Sequence, residues 1–336
     1  MNTAVKNTGL DNKIFEVKDS NFTETALELF HFQYQNNAVY QQFCNTLPID
    51  TNKIDDTGKI PFLPISFFKT HKIVSTTFTP AAIFESSGTT QTINSKHLVK
   101  DISIYEKSFS SAFKLFYGDV AEWCIIALLP SYLERKNSSL VLMADQLIKQ
   151  SKHPESGFYL DEFSNLQQVL SALEKKGQKT LLIGVTFALL DFAEQYPMLL
   201  KNTIVMETGG MKGRRKEMTR VQVHQQLTTA FQCKHIHSEY GMTELLSQAY
   251  SNGEGMFNCP PWMKILIREE DDPFAVHQQN EKTTITGAIN VIDLANIYSC
   301  SFIATEDVGR LLPGGSFEVL GRMDNSDIRG CSLMVL

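Results

Sequence analysis

Hydroxyl side chains crowd around one glycine in the segment FESSGTTQ, residues 84–91, where Ser86, Ser87, Thr89 and Thr90 flank Gly88 just after the apolar run AAIF. Hydroxyls and free backbone N–H groups at this density offer several donors to a phosphate, and the glycine lets the backbone approach it closely. No GK[ST] follows, so this is not a Walker loop, and alone the stretch reads as a Ser/Thr turn. A second segment, SEYGMTE at residues 238–244, directly follows an apparent strand. Ligands of open α/β sheets collect at such strand ends, where Thr243 could donate to a phosphate oxygen and Glu244 could hold magnesium. Two further turns, TEDVGR at 305–310 and GRMDNSDIRG at 321–330, carry Asp307 and Arg322. An ionised carboxylate has two acceptor oxygens for the hydroxyls of a ribose, and an arginine fork suits sugar and phosphate oxygens. Cys233, His235 and His237 alternate along a strand face in the manner of zinc ligands, but without a fourth ligand a packed cysteine with edge histidines is the simpler arrangement.

The elements that must position these residues follow from periodicity. Asn21 with Glu24 three positions on suggests a capping box, and Phe22, Ala26, Phe30, Tyr34 and Ala38 then fall on one helical face. Prolines 48, 61 and 64 break that helical region into loops. From about residue 120 short buried strands alternate with amphipathic helices: CIIALLP, SLVLMA, a helix at 163–173, TLLIGVT, a helix after Phe187, and NTIVME. This rhythm predicts a parallel sheet with crossover helices. After Gly209 and Gly210 a polar, basic helix is expected through about Gln232, then the strand CKHIHS; MKILIRE, TTITGAINVIDL, SCSFIA and SFEVLGR follow as consecutive strands. The expected organisation is a helical cap over 1–80, an α/β nucleotide-binding region over 81–260 and a β-rich subdomain with a short tail over 261–336.

Composition narrows the function classes. The 336 residues are 43% apolar and 20% charged, ordinary for a globular chain, with a net charge of −6 that disfavours a nucleic-acid binder. Six scattered cysteines form no CxxC pair, the amino terminus lacks an apolar leader, and no apolar run is long enough to span a bilayer. A cytoplasmic protein with reduced thiols is expected.

Taken in order, the SSGTT loop, the GG pair, YGMTE, the D-x-G-R turn and GRMD resemble the adenylate-forming superfamily of acyl-CoA synthetases, luciferases and non-ribosomal adenylation domains. The short length, the stretch ETGGMKGRR at 207–215 and the RGCS tail at 329–332 are similar to the acyl-protein synthetases of bacterial bioluminescence, the LuxE family. The resemblance implies the large α/β domain of that fold, a parallel sheet plus a β-rich barrel-like part, with the lid domain absent or vestigial. It implies that Ser86, Ser87, Gly88, Thr89 and Thr90 cradle the β- and γ-phosphates of ATP. Gly209 and Gly210 would run beside the adenine, and Tyr240 and Gly241 would wall the adenine and acyl site. Thr243 would touch the α-phosphate while Glu244 holds Mg2+, Asp307 and Arg322 would clasp the ribose, and Asp324 would stand at the hinge. Gln91 replaces a usual glycine, DNSDIR carries one residue more than the common spacing, and with Leu336 as the last residue the lid that delivers a lysine is expected to be missing. Lys212, Arg214 or Arg215 is then expected to meet the charge on the α-phosphorus. With Lys216 they form a basic cluster that reads equally as a solvated surface, a phosphate-facing loop or a docking patch for an acyl carrier or reductase.

The implied reaction joins a fatty or other carboxylic acid to AMP and passes the acyl group to a thiol, expected to be Cys331 near the carboxyl terminus, and on to a partner protein. Arg329, two residues away, would favour the thiolate; the alternative for Cys331 is a small buried side chain. A carboxylate–CoA ligase of the phenylacetate type and a non-catalytic nucleotide-binding scaffold are the competing functions. The 22 phenylalanines fit an acyl channel or any core.

Overall fold

Helix forms where the amino-terminal pattern predicts it, with different ends. In the computed structural model, which describes residues 9–86, 93–130, 137–160, 162–209, 215, 218–279 and 282–323, the helix Asp19–Asn36 starts ahead of Asn21. Asn21 therefore sits within the first turn, and its side-chain oxygen accepts the Lys18 N–H at 2.7 Å. Phe22, Ala26 and Phe30 are buried as the spacing requires, together with Leu29 and Gln33. The face ends at Asn37, whose extended backbone breaks the helix and whose side chain accepts the Tyr40 N–H, capping a second helix, Ala38–Thr46.

The chain packs as two compact units. One unit holds the chain up to Phe109 with Gly241–Gln248 and Cys259–Phe317; the other holds Ser110–Tyr240, Ala249–Asn258 and the chain from Glu318 onward.

In the first unit the strands Met263–Arg268, Ile285–Asp293 and Phe302–Leu311 form an antiparallel meander. The short strand Val276–His277 pairs with the first of them, and Leu63–Pro64 runs parallel to the start of the third. Phe302 anchors this core, its ring centroid 6.2 Å from Tyr40 and 6.3 Å from both Phe30 and Phe62. The Tyr40 hydroxyl is satisfied by the Pro61 carbonyl at 2.6 Å, as a buried phenol requires. Gln33 is fully buried; its amide donates to the carbonyls of Asn296 at 2.8 Å and Ile297 at 3.0 Å, and its oxygen accepts the Ser301 N–H at 2.9 Å. One side chain thus ties the first long helix to the turn between the last two meander strands. A separate hairpin, Ala82–Glu85 against Lys96–Val99, carries the hydroxyl-rich segment in its connection.

In the second unit the strands Gly157–Phe158, Cys124–Leu128, Thr180–Val185, Thr203–Thr208 and His237–Tyr240 lie in that order, all parallel. Ala249–Ser251 and Phe257–Asn258 extend the sheet antiparallel, followed by Phe317–Arg322. Cys124–Leu128 and Thr180–Val185 are buried at every position, which is why they read as continuous apolar runs. One expected strand is a helix: SLVLMA opens the helix Ser139–Ser151, capped by Ser138 and burying Met143, Ala144 and Leu147. A short apolar run cannot distinguish a buried strand from a helix, and here the period continuing to Leu147 decides. The helix Phe163–Lys176 buries Leu166, Leu170 and Leu173, each contributing roughly 2 kcal/mol, and closes at Gly177, where φ is 66°.

The Gln33 linkage is testable. Replacing Gln33 by Leu strands the Ile297 carbonyl and the Ser301 N–H in the core, the Asn296 carbonyl keeping the Ser299 N–H at 3.1 Å, and is expected to lower unfolding stability by about 2–4 kcal/mol in urea titration. A loss below about 0.5 kcal/mol, the level of an ordinary surface change, would show that the linkage adds nothing.

Candidate active site

The segment Gly241–Gln248 belongs to the first unit and directly follows, in the chain, the strand His237–Tyr240. It makes a turn in which the Leu245 N–H donates to the Met242 carbonyl at 3.1 Å. Its backbone is then held at successive positions. The Thr243 carbonyl accepts from the His97 ring at 2.9 Å, which places the proton on Nδ1. His97 is buried, and burial pushes its pKa down to about 4, the Thr243 contact pulling the other way, so the ring is neutral near pH 7. The Glu244 carbonyl accepts from Asn296 Nδ2 at 2.8 Å. Leu246 and Ser247 donate their N–H groups to Asp293 Oδ2 at 2.8 and 2.9 Å, while Ser247 Oγ and the Ala295 N–H reach Oδ1 at 2.6 and 3.0 Å. Burial pushes the Asp293 carboxyl up to about 6 against the pull of these donors. The Glu244 side chain inside this frame is 1% exposed.

His97 lies on the hairpin strand opposite Phe84, so the hairpin bearing the hydroxyl-rich segment and the Thr243–Glu244 turn are hydrogen-bonded together. Ser86 closes that hairpin: its N–H donates to the Ser95 carbonyl at 3.1 Å and its hydroxyl accepts the Ser95 N–H at 2.9 Å. Ser87, Gly88, Thr89 and Thr90 lie outside the described residues, as do Gly210, Lys212, Arg214, Asp324 and Cys331. Asp307 sits 6% exposed on the strand Phe302–Leu311, its N–H bonded to Thr305 Oγ1 at 3.2 Å. Nearby, the buried Arg268 fork donates to the carbonyls of Ile289 and Thr305 and to Asn290 Oδ1. Burial pulls its guanidinium down to about 10, opposed by the charges of Glu270 and Asp307.

In the second unit the strand Thr203–Thr208 ends at Gly209, which takes φ of 77°, a conformation that favours glycine. Just before it, Glu207 is buried against Thr186 Oγ1 at 3.0 Å, His224 at 3.6 Å and Arg220 at 3.7 Å. Burial alone would raise its carboxyl, but His224 and Arg220 hold it below the usual range. Glu239 shows the opposite balance: burial pushes it up to about 7, although the Thr208 hydroxyl donates to it. Tyr240 packs its ring 5.9 Å from Phe257, over which the Arg220 guanidinium sits at 5.1 Å. Arg322 ends the strand Phe317–Arg322.

Arg215, a candidate phosphate donor, is committed elsewhere, forking onto Glu194 at 2.6 and 2.8 Å and onto Asp191 at 2.7 Å. Cys233 and His235 share a sulfur–carbonyl contact, while His237 meets the Tyr117 hydroxyl at 3.3 Å, and burial pushes its pKa down to about 4. Among the described residues no group of three His, Cys, Asp or Glu could cage a metal ion, and no helix is long and apolar enough to cross a membrane. Magnesium suits the single buried carboxylate of Glu244, because that ion is commonly held by one or two carboxylates plus nucleotide phosphates. A cavity of about 490 Å³ in the second unit is lined by Arg220, His224, Ile236, Val319 and Leu320; among the described residues, none of those expected at phosphate, magnesium or ribose borders it. His97, Asp293, Asn296 and Arg268 were not singled out by sequence, since each acts through contacts distant along the chain.

Comparison with known proteins follows the same lines. No curated protein sequence matches the chain significantly. Among solved structures, 2-hydroxyisobutyryl-CoA ligase in complex with 2-HIB-AMP and CoA superposes with a TM-score of 0.61 at 9% identity, over 90% of this chain and 70% of that one. The o-succinylbenzoate coenzyme A synthetase of Bacillus subtilis, with ATP and magnesium, gives 0.44 at 16% identity over 71% of this chain and 49% of that one. Coronafacic acid ligase from Pectobacterium brasiliense gives 0.41 at 16%, covering 60% of this chain, which spans 39% of that ligase. The first of these likenesses establishes the α/β fold of the adenylate-forming ligases. The family model described as acyl-protein synthetase, LuxE, matches residues 12–336, and the chain belongs to that family.

Proposed function

We propose that this protein activates a carboxylic acid, of the fatty class, with ATP in the cytoplasm and transfers the acyl group to a thiol, its own Cys331, and then to a partner protein. The observation that carries the reading is the buried Glu244 carboxylate in a turn whose backbone is fixed on both sides, in a chain of the acyl-protein synthetase family. In the first step a carboxylate oxygen of the acid bonds to the α-phosphorus of ATP, the bond from that phosphorus to the bridging oxygen breaks, and pyrophosphate leaves. In the second, the Cys331 thiolate attacks the acyl carbon, the carbon–oxygen bond to AMP breaks, and AMP leaves.

Each residue then has a task. Ser86 closes the hairpin whose connection, with Ser87, Gly88, Thr89 and Thr90, would face the β- and γ-phosphates. Thr243 donates to the α-phosphate, and Glu244 holds Mg2+, which when bound neutralises phosphate charge. Asp307 accepts from the ribose hydroxyls and Arg322 donates to their oxygens, while Gly209, Gly210, Tyr240 and Gly241 border adenine and acyl group. Lys212 supplies positive charge toward the α-phosphorus, a task for which Arg214 stands two residues on in sequence and from which the ion pairs of Arg215 withdraw that side chain.

Replacing Glu244 by Gln is expected to cut acid-dependent ATP–pyrophosphate exchange about 100-fold or more, with the protein still folded by circular dichroism; exchange at the wild-type rate would remove Glu244 from the site. Replacing Cys331 by Ser is expected to abolish hydroxylamine-sensitive acyl labelling, read by intact mass, while exchange persists. Acyl-CoA formation undiminished by that change would instead assign a coenzyme A ligase, and nucleotide binding without exchange for any acid would assign a scaffold.

A further inference from the structure

We infer that Asn296 and Asp293, in the turn joining the strands Ile285–Asp293 and Phe302–Leu311, are positioning residues that set how tightly the Glu244 carboxylate holds its divalent cation; the inference rests on the function proposed above. Both act on main chain. The Asn296 amide divides its two protons between the Glu244 carbonyl at 2.8 Å and the Cys300 carbonyl at 3.1 Å, so Glu244 is tied to the return of the same turn. Asp293 takes the N–H groups two and three residues beyond Glu244, and His97 takes the carbonyl one residue before it. Anchors at positions 243, 244, 246 and 247 fix the peptides on both sides of Glu244, and with them the direction of its Cα–Cβ bond.

The anchoring turn is itself held from behind, Gln33 donating to the carbonyls of Asn296 and Ile297. Asp293 and Asn296 are both fully buried, so neither side chain is placed to serve solvent. Magnesium demands nearly octahedral geometry at 2.0–2.1 Å and tolerates little displacement of a ligand oxygen. Groups that orient a metal ligand from behind are typically worth 10–100-fold in metal affinity.

The test is ATP binding by the full chain, followed calorimetrically as Mg2+ is titrated, with Mn2+ and paramagnetic resonance as a second reading of the same site. Asn296→Ala is expected to raise the half-saturating Mg2+ about 10–100-fold, with metal-free ATP binding unchanged; Asp293→Asn should move it the same way. Tyr40→Phe, which loses a buried hydrogen bond to the Pro61 carbonyl and none to this turn, should leave the Mg2+ requirement alone. Wild-type Mg2+ dependence in both Asn296→Ala and Asp293→Asn, or an equal shift in Tyr40→Phe, overturns the positioning role. If Glu244→Gln shifts the requirement and Asn296→Ala does not, only this inference is lost. If Glu244→Gln shifts nothing, the reading of Glu244 fails and takes the inference with it.

Discussion

A carboxylate without solvent, satisfied only by protein donors, is the constraint around which the first unit is arranged. Asp293 is fully buried and accepts from Leu246, Ser247 and Ala295, on both of its oxygens. Its pKa of about 6 lies above that of an ordinary carboxylate. Holding it ionised at neutral pH therefore costs stability, by an amount on the order of 3 kcal/mol. That cost fades as pH falls from 6 toward 4, where the folded chain binds the proton more readily than the unfolded one. A buried charge persists only where the surroundings are shaped to it, and losing its donors would leave it uncompensated. Consequently the segment 241–248 has little freedom once the meander has formed.

The second unit handles its buried acids differently. Glu207 is kept ionised by its hydrogen bond with His224 and the charge of Arg220, whereas Glu239, with the Thr208 hydroxyl and the Glu207 charge nearby, is pushed toward its neutral form. Two carboxyls on adjacent parallel strands, Thr203–Thr208 and His237–Tyr240, are thereby driven apart in pKa by their surroundings alone. The strand end at Gly209 is set by this arrangement, since Thr186 donates to Glu207 and also reaches the Gly209 carbonyl at 3.4 Å.

Much of the architecture is legible in the sequence because burial leaves a local pattern. The runs CIIAL and, after its leading Thr180, TLLIGV are continuously apolar since both sheet faces are covered, and the strands after residue 262 are separated by turn residues. Legibility fails where two local patterns coincide, as in SLVLMA, and where a polar side chain ends an element, as Asn37 does by capping the next helix. The motifs FESSGTTQ, SEYGMTE and TEDVGR stand out through unusual local density of hydroxyls and acids. The side chains that hold them do not. Asp293, Asn296, Gln33 and His97 look like residues of ordinary turns, helices and strands, and their partners are 146 residues away for His97 and 263 for Gln33. Hydrogen bonds between a side chain and a remote backbone impose no periodicity, so nothing in composition or spacing announces them.

The Gln33 linkage has a bearing on how the chain is made. Residues up to Phe109 emerge from the ribosome first, yet the strands that complete their unit come only after residue 262. At translation speeds of roughly 5–20 residues per second, the nascent helix around Phe30 waits on the order of ten to fifty seconds for its partner turn. Throughout that interval Phe22, Ala26, Leu29 and Phe30 present an uncovered apolar stripe, the kind of surface that draws chaperones or, in their absence, other unfinished chains.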